Sequence, residues 1–111
     1  MNETVLSSTQ SGALREIKAN VSRRFNVVDF ILYGSAARGD AEDESDLDLM
    51  IIISKQVSRL KRHEITDIVF DVNLRFGTNF STLVVDQESW EAGLMSVLPL
   101  RYEIKREGIR V

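Results

Sequence analysis

The sequence contains no cysteine, one proline, one tryptophan and one histidine among its 111 residues. Without cysteine the chain can form neither a disulfide framework nor a zinc–thiolate site, and it has no thiol nucleophile. No hydrophobic run approaches the length that a membrane span needs, and the first residues lack a basic region followed by an apolar one. These absences lead us to expect a cytoplasmic protein with no membrane association.

Neither sign of charge dominates, because 14 lysine and arginine residues face 17 aspartate and glutamate residues for a net charge of −3. Hydrophobic residues make up 43% of the chain and charged residues 28%, a balance typical of folded domains rather than disordered segments. The acidic net charge does not indicate a general nucleic-acid binder, although it leaves nucleic acid possible. The length suits a single domain over residues 1–111.

Two apolar runs, Val27–Tyr33 and Leu47–Ile53, have the length and the β-branched content of buried strands. The polar connection between them opens with Gly34-Ser35, and two acidic residues, Asp46 and Asp48, stand at the start of the second run. Because successive strand side chains point to opposite faces, both carboxylates are expected on one face, about 7 Å apart along the strand. Two such carboxylates repel each other, and burying them without a counter-charge is expensive.

A divalent cation would neutralise both carboxylates, and Mg²⁺ prefers hard oxygen ligands of this kind together with phosphates of a substrate. Gly34 permits close backbone approach, while the hydroxyl of Ser35 and free backbone N–H groups can hold a phosphate. A short helical turn is expected at Ala36–Arg38, and Arg38 either contacts the phosphates or a nearby carboxylate, or only fixes the loop. The acidic run Glu42–Glu44 is interpreted as a solvated loop rather than as further metal ligands.

The rest of the chain alternates between helical and strand patterns, which predicts an α/β domain with a sheet layer and a helix layer. Trp90 is expected to face the sheet, and Asp86 to cap the helix that carries it. The basic cluster Arg59–His63 is interpreted as a solvated helix face, with attraction of RNA or an acidic partner as the alternative. The predicted elements are helices at Thr9–Phe25 (capped by Ser11 or Thr9), Lys55–Gly77, Gln87–Leu94 and Leu100–Glu107, and a strand at Phe80–Val85.

The segment Gly34–Asp40 followed by Ser45–Leu49 resembles the signature of the DNA polymerase β-like nucleotidyltransferase superfamily. More narrowly, it is similar to the minimal nucleotidyltransferases, small prokaryotic proteins commonly paired with a HEPN-domain partner in toxin–antitoxin modules. The similarity is strongest over Val28–Ile53, and Pro99–Val111 looks like the closing helix and tail of that family. The resemblance implies a small mixed sheet backed by helices.

The resemblance also implies a Mg²⁺-dependent nucleotidyltransferase that moves a nucleoside monophosphate, with AMP from ATP as the first expectation, to a hydroxyl acceptor. In this interpretation Asp46 and Asp48 are the catalytic residues and hold the metal, while Gly34, Ser35 and Arg38 bind the nucleotide. The expected acceptor is a HEPN-type toxin, so the chain would serve as its antitoxin in a hetero-oligomer.

One departure from the superfamily pattern leaves alternatives open. The superfamily commonly places a third carboxylate on the strand beside the aspartate pair, whereas Phe80–Val85 contains no acidic residue. Asp67, Asp71 and Asp86 lie elsewhere, and none has a clear claim to the position. The first alternative is a catalytically weak or inactive nucleotide-binding antitoxin that neutralises its partner by direct binding. The second is a calcium-binding or purely structural role for the pair.

Overall fold

The computed structural model describes residues 6–38 and 46–111, and within them the side chains of all residues except Ala36 and Arg38. The run Glu42–Glu44 lies outside the described residues. The elements in chain order are α1 (Ser8–Arg24), β1 (Val27–Tyr33), α2 (Ser35–Arg38), β2 (Leu47–Ile53), α3 (Arg59–Phe76), β3 (Phe80–Asp86), α4 (Gln87–Glu91), a 3₁₀ turn (Leu94–Val97), α5 (Pro99–Glu107) and β4 (Ile109–Arg110).

The described strands form one mixed sheet in the order β3-β2-β1-β4. β1 runs antiparallel to β2 and to β4, whereas β2 and β3 are parallel because α3 crosses over between them. The register places Asp48 between Tyr33 of β1 and Ser81 of β3. The sequence predicts only a tail where the structure has β4, since a strand of two residues is too short to show an alternating pattern.

Helices cover both faces of the sheet. α1 and α3 pack on one face over the larger hydrophobic cluster, which includes Leu49 and Ile51 of β2. α4 and α5 cover part of the other face with Trp90 and Ile104, which pack against Met50 and Ile52. β2 is therefore buried on both sides, as its nearly continuous apolar sequence indicates. The predicted mixed sheet backed by helices is confirmed, and α4 and α5 add a smaller helical cover on the second face.

Side-chain caps set the helix starts and correct the predicted boundaries. The N-cap of α1 is Ser7, not Ser11 or Thr9, because the hydroxyl of Ser7 accepts from the backbone N–H of Gln10 at 3.0 Å while the Gln10 side chain accepts from the Ser7 N–H at 2.9 Å. This reciprocal pair satisfies two donors that a helix start would otherwise leave free.

The second long helix begins four residues later than its periodicity predicts. The hydroxyl of Ser58 accepts from the backbone N–H of Lys61 at 3.2 Å and caps α3, so Lys55 lies outside the helix. Gly77 ends α3 in the left-handed conformation, with a φ of 68°, as predicted. None of the described helices combines the length and the apolar composition that crossing a bilayer requires.

Candidate functional site

The turn between β1 and α2 depends on a glycine for two independent reasons. Gly34 has a φ of +77°, in the left-handed region that residues with a Cβ rarely adopt. A Cβ atom at this position would also lie 2.5 Å from the Asp48 Oδ2 atom. The carboxylate of Asp48 therefore rests directly against the turn, and the two halves of the predicted site are brought together.

Asp48 lies near the start of β2 on the same face as Met50 and Ile52, and Asp46 precedes it by two residues with the same alternation. Asp48 is half-buried and Asp46 is exposed. Burial raises the pKa of the Asp48 carboxyl above its ordinary value, and the negative charge of Asp46 raises this pKa further. The two carboxylates thus share a face and repel each other.

No lysine or arginine side chain that the structure describes forms an ion pair with Asp46 or Asp48. The neighbour of Asp48 on β1 is Tyr33, and burial together with the charge of Asp48 raises the pKa of its phenol. Two close carboxylates without a counter-cation are a donor set that suits a hard divalent ion such as Mg²⁺. The residues present therefore fit the metal that the sequence motif implies.

The parallel register places Ser81 of β3 beside Asp48 of β2. The position on β3 where a third carboxylate would lie next to the aspartate pair is therefore occupied by a neutral hydroxyl. Within residues 6–38 and 46–111, no group of three or more histidine, cysteine, aspartate or glutamate side chains could hold a metal ion. β3 therefore places no carboxylate beside the pair, since its one acidic residue, Asp86, lies opposite Ile53 at the far end of β2.

The other acidic residues considered for that position have different surroundings. Asp86 caps α4, where its carboxylate accepts from the Ser89 N–H at 3.0 Å and from the Ser89 hydroxyl at 2.8 Å, and these bonds lower its pKa. Asp71 accepts from Arg75 at 3.0 Å on α3, which covers the opposite face of the sheet. Asp67 is exposed on the same helix. The capping role predicted for Asp86 is confirmed.

Three further predictions concern Ser35 with Arg38, Trp90, and the basic cluster Arg59–His63. Ser35 is the first residue of α2 and is half-buried beside Gly34, whereas the side chain of Arg38 lies outside the described part of the chain. Trp90 is buried against the sheet, as predicted. The cluster Arg59–His63 is exposed on the first turns of α3.

Sequence comparison identifies the family. The family described as nucleotidyltransferase domain matches residues 14–106. This chain belongs to that family. A relative of this nucleotidyltransferase in Methanocaldococcus jannaschii carries the provisional name protein adenylyltransferase and is 32% identical over 102 residues, which cover 90% of this chain and 67% of the relative. The predicted enzyme class is confirmed by these matches.

Solved structures with the same fold support the assignment at the level of architecture. One, provisionally described as a minimal nucleotidyltransferase, has a TM-score of 0.61 and 20% identity, and the match covers 95% of this chain and 97% of the other. Another, a toxin–antitoxin structure with AMP-PNP, has a TM-score of 0.56 and 14% identity over 89% of this chain and 69% of the other. The predicted resemblance to minimal nucleotidyltransferases is thereby confirmed for the fold.

Proposed function

We propose that this nucleotidyltransferase transfers AMP from ATP to a hydroxyl group of a partner protein. The observation that carries the proposal is the contact of Gly34 with the Asp48 carboxylate, on a face shared with Asp46 and without a described counter-cation. The name of the Methanocaldococcus jannaschii relative and the AMP-PNP in the toxin–antitoxin neighbour support protein adenylylation and an adenine nucleotide.

The proposed site residues divide into metal ligands and phosphate contacts. Asp46 and Asp48 would hold Mg²⁺, which when bound neutralises charge on the triphosphate. The backbone of Gly34 and the hydroxyl of Ser35 would hold the outer phosphates, because only a residue without Cβ leaves room between the turn and Asp48. Arg38 would contribute a positive charge to the same phosphates.

The proposed reaction is a displacement at the α-phosphorus of ATP. The acceptor oxygen forms a bond to that phosphorus, the bond between the α-phosphorus and the oxygen bridging to the β-phosphate breaks, and pyrophosphate leaves with the bonding electrons. The acceptor proton passes to solvent, since no third carboxylate stands beside the pair within the described residues. A missing general base typically slows such a step by about 10²–10⁴-fold, which single modification of a bound partner tolerates better than repeated turnover.

The proposed acceptor is a HEPN-type toxin, which the chain would inactivate as an antitoxin in a cytoplasmic hetero-oligomer. The toxin–antitoxin neighbour supports this partner class. Residues 1–111 would then act as one minimal nucleotidyltransferase domain, with acceptor recognition supplied by the partner surface.

The test is transfer of label from α-labelled ATP to the co-purified partner in the presence of Mg²⁺. We expect labelling by the natural chain and loss of at least about 10²-fold with Asp46→Asn and Asp48→Asn combined, since both metal ligands are then removed. Asp67→Asn is a matched control, because this exposed residue lies on α3 across the sheet. Equal labelling by the double variant would refute the proposed site.

A second candidate function follows from Ser81, the neutral neighbour of Asp48 on β3. A site without a third carboxylate suits an antitoxin that binds nucleotide but neutralises its partner by covering it. Growth rescue separates the two functions. If the Asp46→Asn and Asp48→Asn double variant still protects cells from the partner, direct binding is the mechanism, whereas loss of protection with retained partner binding supports catalysis.

A further inference from the structure

A second cleft lies on the sheet face that carries the aspartate pair, at the other end of β1 and β2. It has a volume of about 500 Å³, within the range of small-molecule sites, and its apolar floor includes Ile31, Ile52 and Ile104. None of Gly34, Ser35, Asp46 and Asp48 lines this cleft, and its floor residue Ile31 lies opposite Met50, two residues or about 7 Å along the strand from Asp48. The cleft is therefore distinct from the proposed nucleotide site.

Arg101 of α5 lines this cleft and lies over the ring of Trp90, with its guanidinium carbon 5.3 Å from the ring centre. The Nε atom of Arg101 is shielded from solvent and has no hydrogen-bond partner among the described residues. Arg101 also forms no ion pair within that part of the chain. A partly buried guanidinium held in place by an aromatic ring, with its donors unused, is a site that an anion would satisfy.

The other charges of the cleft leave an excess of positive charge next to Arg101. Lys105 lies one helical turn further along α5 and also lines the cleft, so two cations stand on one helix face, an arrangement that costs stability without an anion. The lining carries three cations (Arg101, Lys105 and Arg110) and two anions: Asp29 pairs with Arg110 at 3.3 Å, and Glu91 keeps its charge because its hydrogen bond comes from a neutral glutamine, so one positive charge remains in excess.

We propose that the cleft between α5 and β1 binds a phosphate monoester through Arg101 and Lys105. A phosphate monoester carries between one and two negative charges near neutral pH and offers several acceptor oxygens, which matches two cations one turn apart better than a single carboxylate does. The apolar floor and Trp90 accommodate an uncharged body next to the phosphate. The inference does not depend on the proposed transfer reaction.

Trp90 is the only tryptophan of the chain, so its fluorescence reports on this cleft alone. We expect phenyl phosphate to change this fluorescence saturably in the presence of EDTA, and to do so equally in the Asp46→Asn and Asp48→Asn double variant. Lys105→Gln should weaken binding at least about tenfold while leaving Arg101 on the Trp90 ring. Arg101→Gln should weaken it similarly, measured by calorimetry because this change alters the fluorescence itself.

The matched control is Arg59→Gln, which removes an exposed arginine of α3 remote from the cleft and should leave affinity unchanged. Circular dichroism checks that each variant is folded. Benzoate serves as the carboxylate probe of similar shape, and equal affinity for benzoate and phenyl phosphate would overturn the assignment to phosphate. The absence of saturable binding, or equal binding by the natural chain and both cleft variants, would overturn the site altogether.

Discussion

The contact between Gly34 and Asp48 is the residue-scale feature on which the proposed site depends. Any side chain at position 34 meets the Asp48 carboxylate and must also adopt a φ of +77°. Gly77 has a similar φ of +68°, but nothing lies within 4 Å of a Cβ placed there. Substituting alanine for Gly77 therefore measures the free-energy cost of the backbone conformation alone, whereas substituting alanine for Gly34 measures that cost together with the cost of the contact with Asp48.

Gly34→Ala should lower the free energy of unfolding more than Gly77→Ala does. The left-handed conformation alone costs about 1–2 kcal/mol for a residue with a Cβ, and only Gly34→Ala adds displacement of Asp48. Urea denaturation of both variants measures the difference. Equal losses would show that the Asp48 carboxylate does not rest on the turn.

Asp48 should lower stability at neutral pH. Because burial and Asp46 raise its pKa on folding, the folded chain holds the proton more tightly than the unfolded chain. The free energy of unfolding therefore falls as the pH rises from about 3.9 through the raised pKa.

Asp48→Asn should accordingly raise the melting temperature at pH 7, and the gain should shrink at a pH below the ordinary aspartate pKa, where both proteins are neutral at this position. Thermal unfolding at the two pH values is the measurement. A lower melting temperature for Asp48→Asn at pH 7 would mean that the charged carboxylate is stabilised by a partner.

At the scale of elements, α3 is joined to β3 by one amide side chain. The Nδ2 atom of Asn73 donates to the Phe80 carbonyl at 3.0 Å, and its Oδ1 atom accepts from the Phe80 N–H at 2.9 Å and from the Thr78 hydroxyl at 2.9 Å. These bonds fix the start of β3 and so the position of Ser81 beside Asp48.

Asn73→Ala should cost about 2–3 kcal/mol of unfolding free energy, since three hydrogen bonds of about 1 kcal/mol each are lost. Asn73→Asp keeps both accepted bonds and should cost less. The control is Asn20→Ala, which removes only an exposed contact with Arg23. Chemical denaturation ranks the three variants, and a cost for Asn73→Ala no larger than that of the control would contradict the role of this side chain.

The sequence predicts strands more accurately than helix ends, for a physical reason. β1 and β2 have the bounds expected, because burial on a sheet leaves a continuous apolar pattern. The start of α3 depends on the single hydroxyl of Ser58, which periodicity does not detect. The side chain of Asn73 joins α3 to the residues that follow the glycine at the end of this helix. The spacing of residues in the sequence does not predict a link of this kind.

For the candidate site, the sequence predicts the shared face of Asp46 and Asp48 because alternation along a strand is a local property. It does not predict which residue of β3 stands beside them. That neighbour, Ser81, is set by the parallel register, which depends on how α3 spans the sheet. The cleft at Arg101 is also hidden from the sequence, since Trp90 and Arg101 meet only after α4 and α5 pack.

At the scale of the whole molecule, β2 links the two hydrophobic clusters on opposite sheet faces. Leu49 and Ile51 are fully buried in the larger cluster, and Met50 is fully buried in the smaller one. Neither cluster can open without exposing the same strand. We therefore infer that the two faces unfold together.

Trp90 fluorescence follows the smaller cluster, whereas far-ultraviolet circular dichroism follows mainly α1 and α3 on the other face. The two signals should give the same midpoint in urea, as a cooperative transition of a chain this size requires. Separate midpoints, with fluorescence changing first, would show that α4 and α5 detach from a sheet that remains folded.

The alternation of side-chain directions along β2, which is apolar on both faces except at Asp48, also restricts how this protein can evolve. Adding or deleting one residue between Leu47 and Ile53 would exchange the faces of the residues on one side of the change, so that Asp48 and the larger cluster could no longer both keep their places. Point substitutions in this strand are therefore far easier to accommodate than changes in its length.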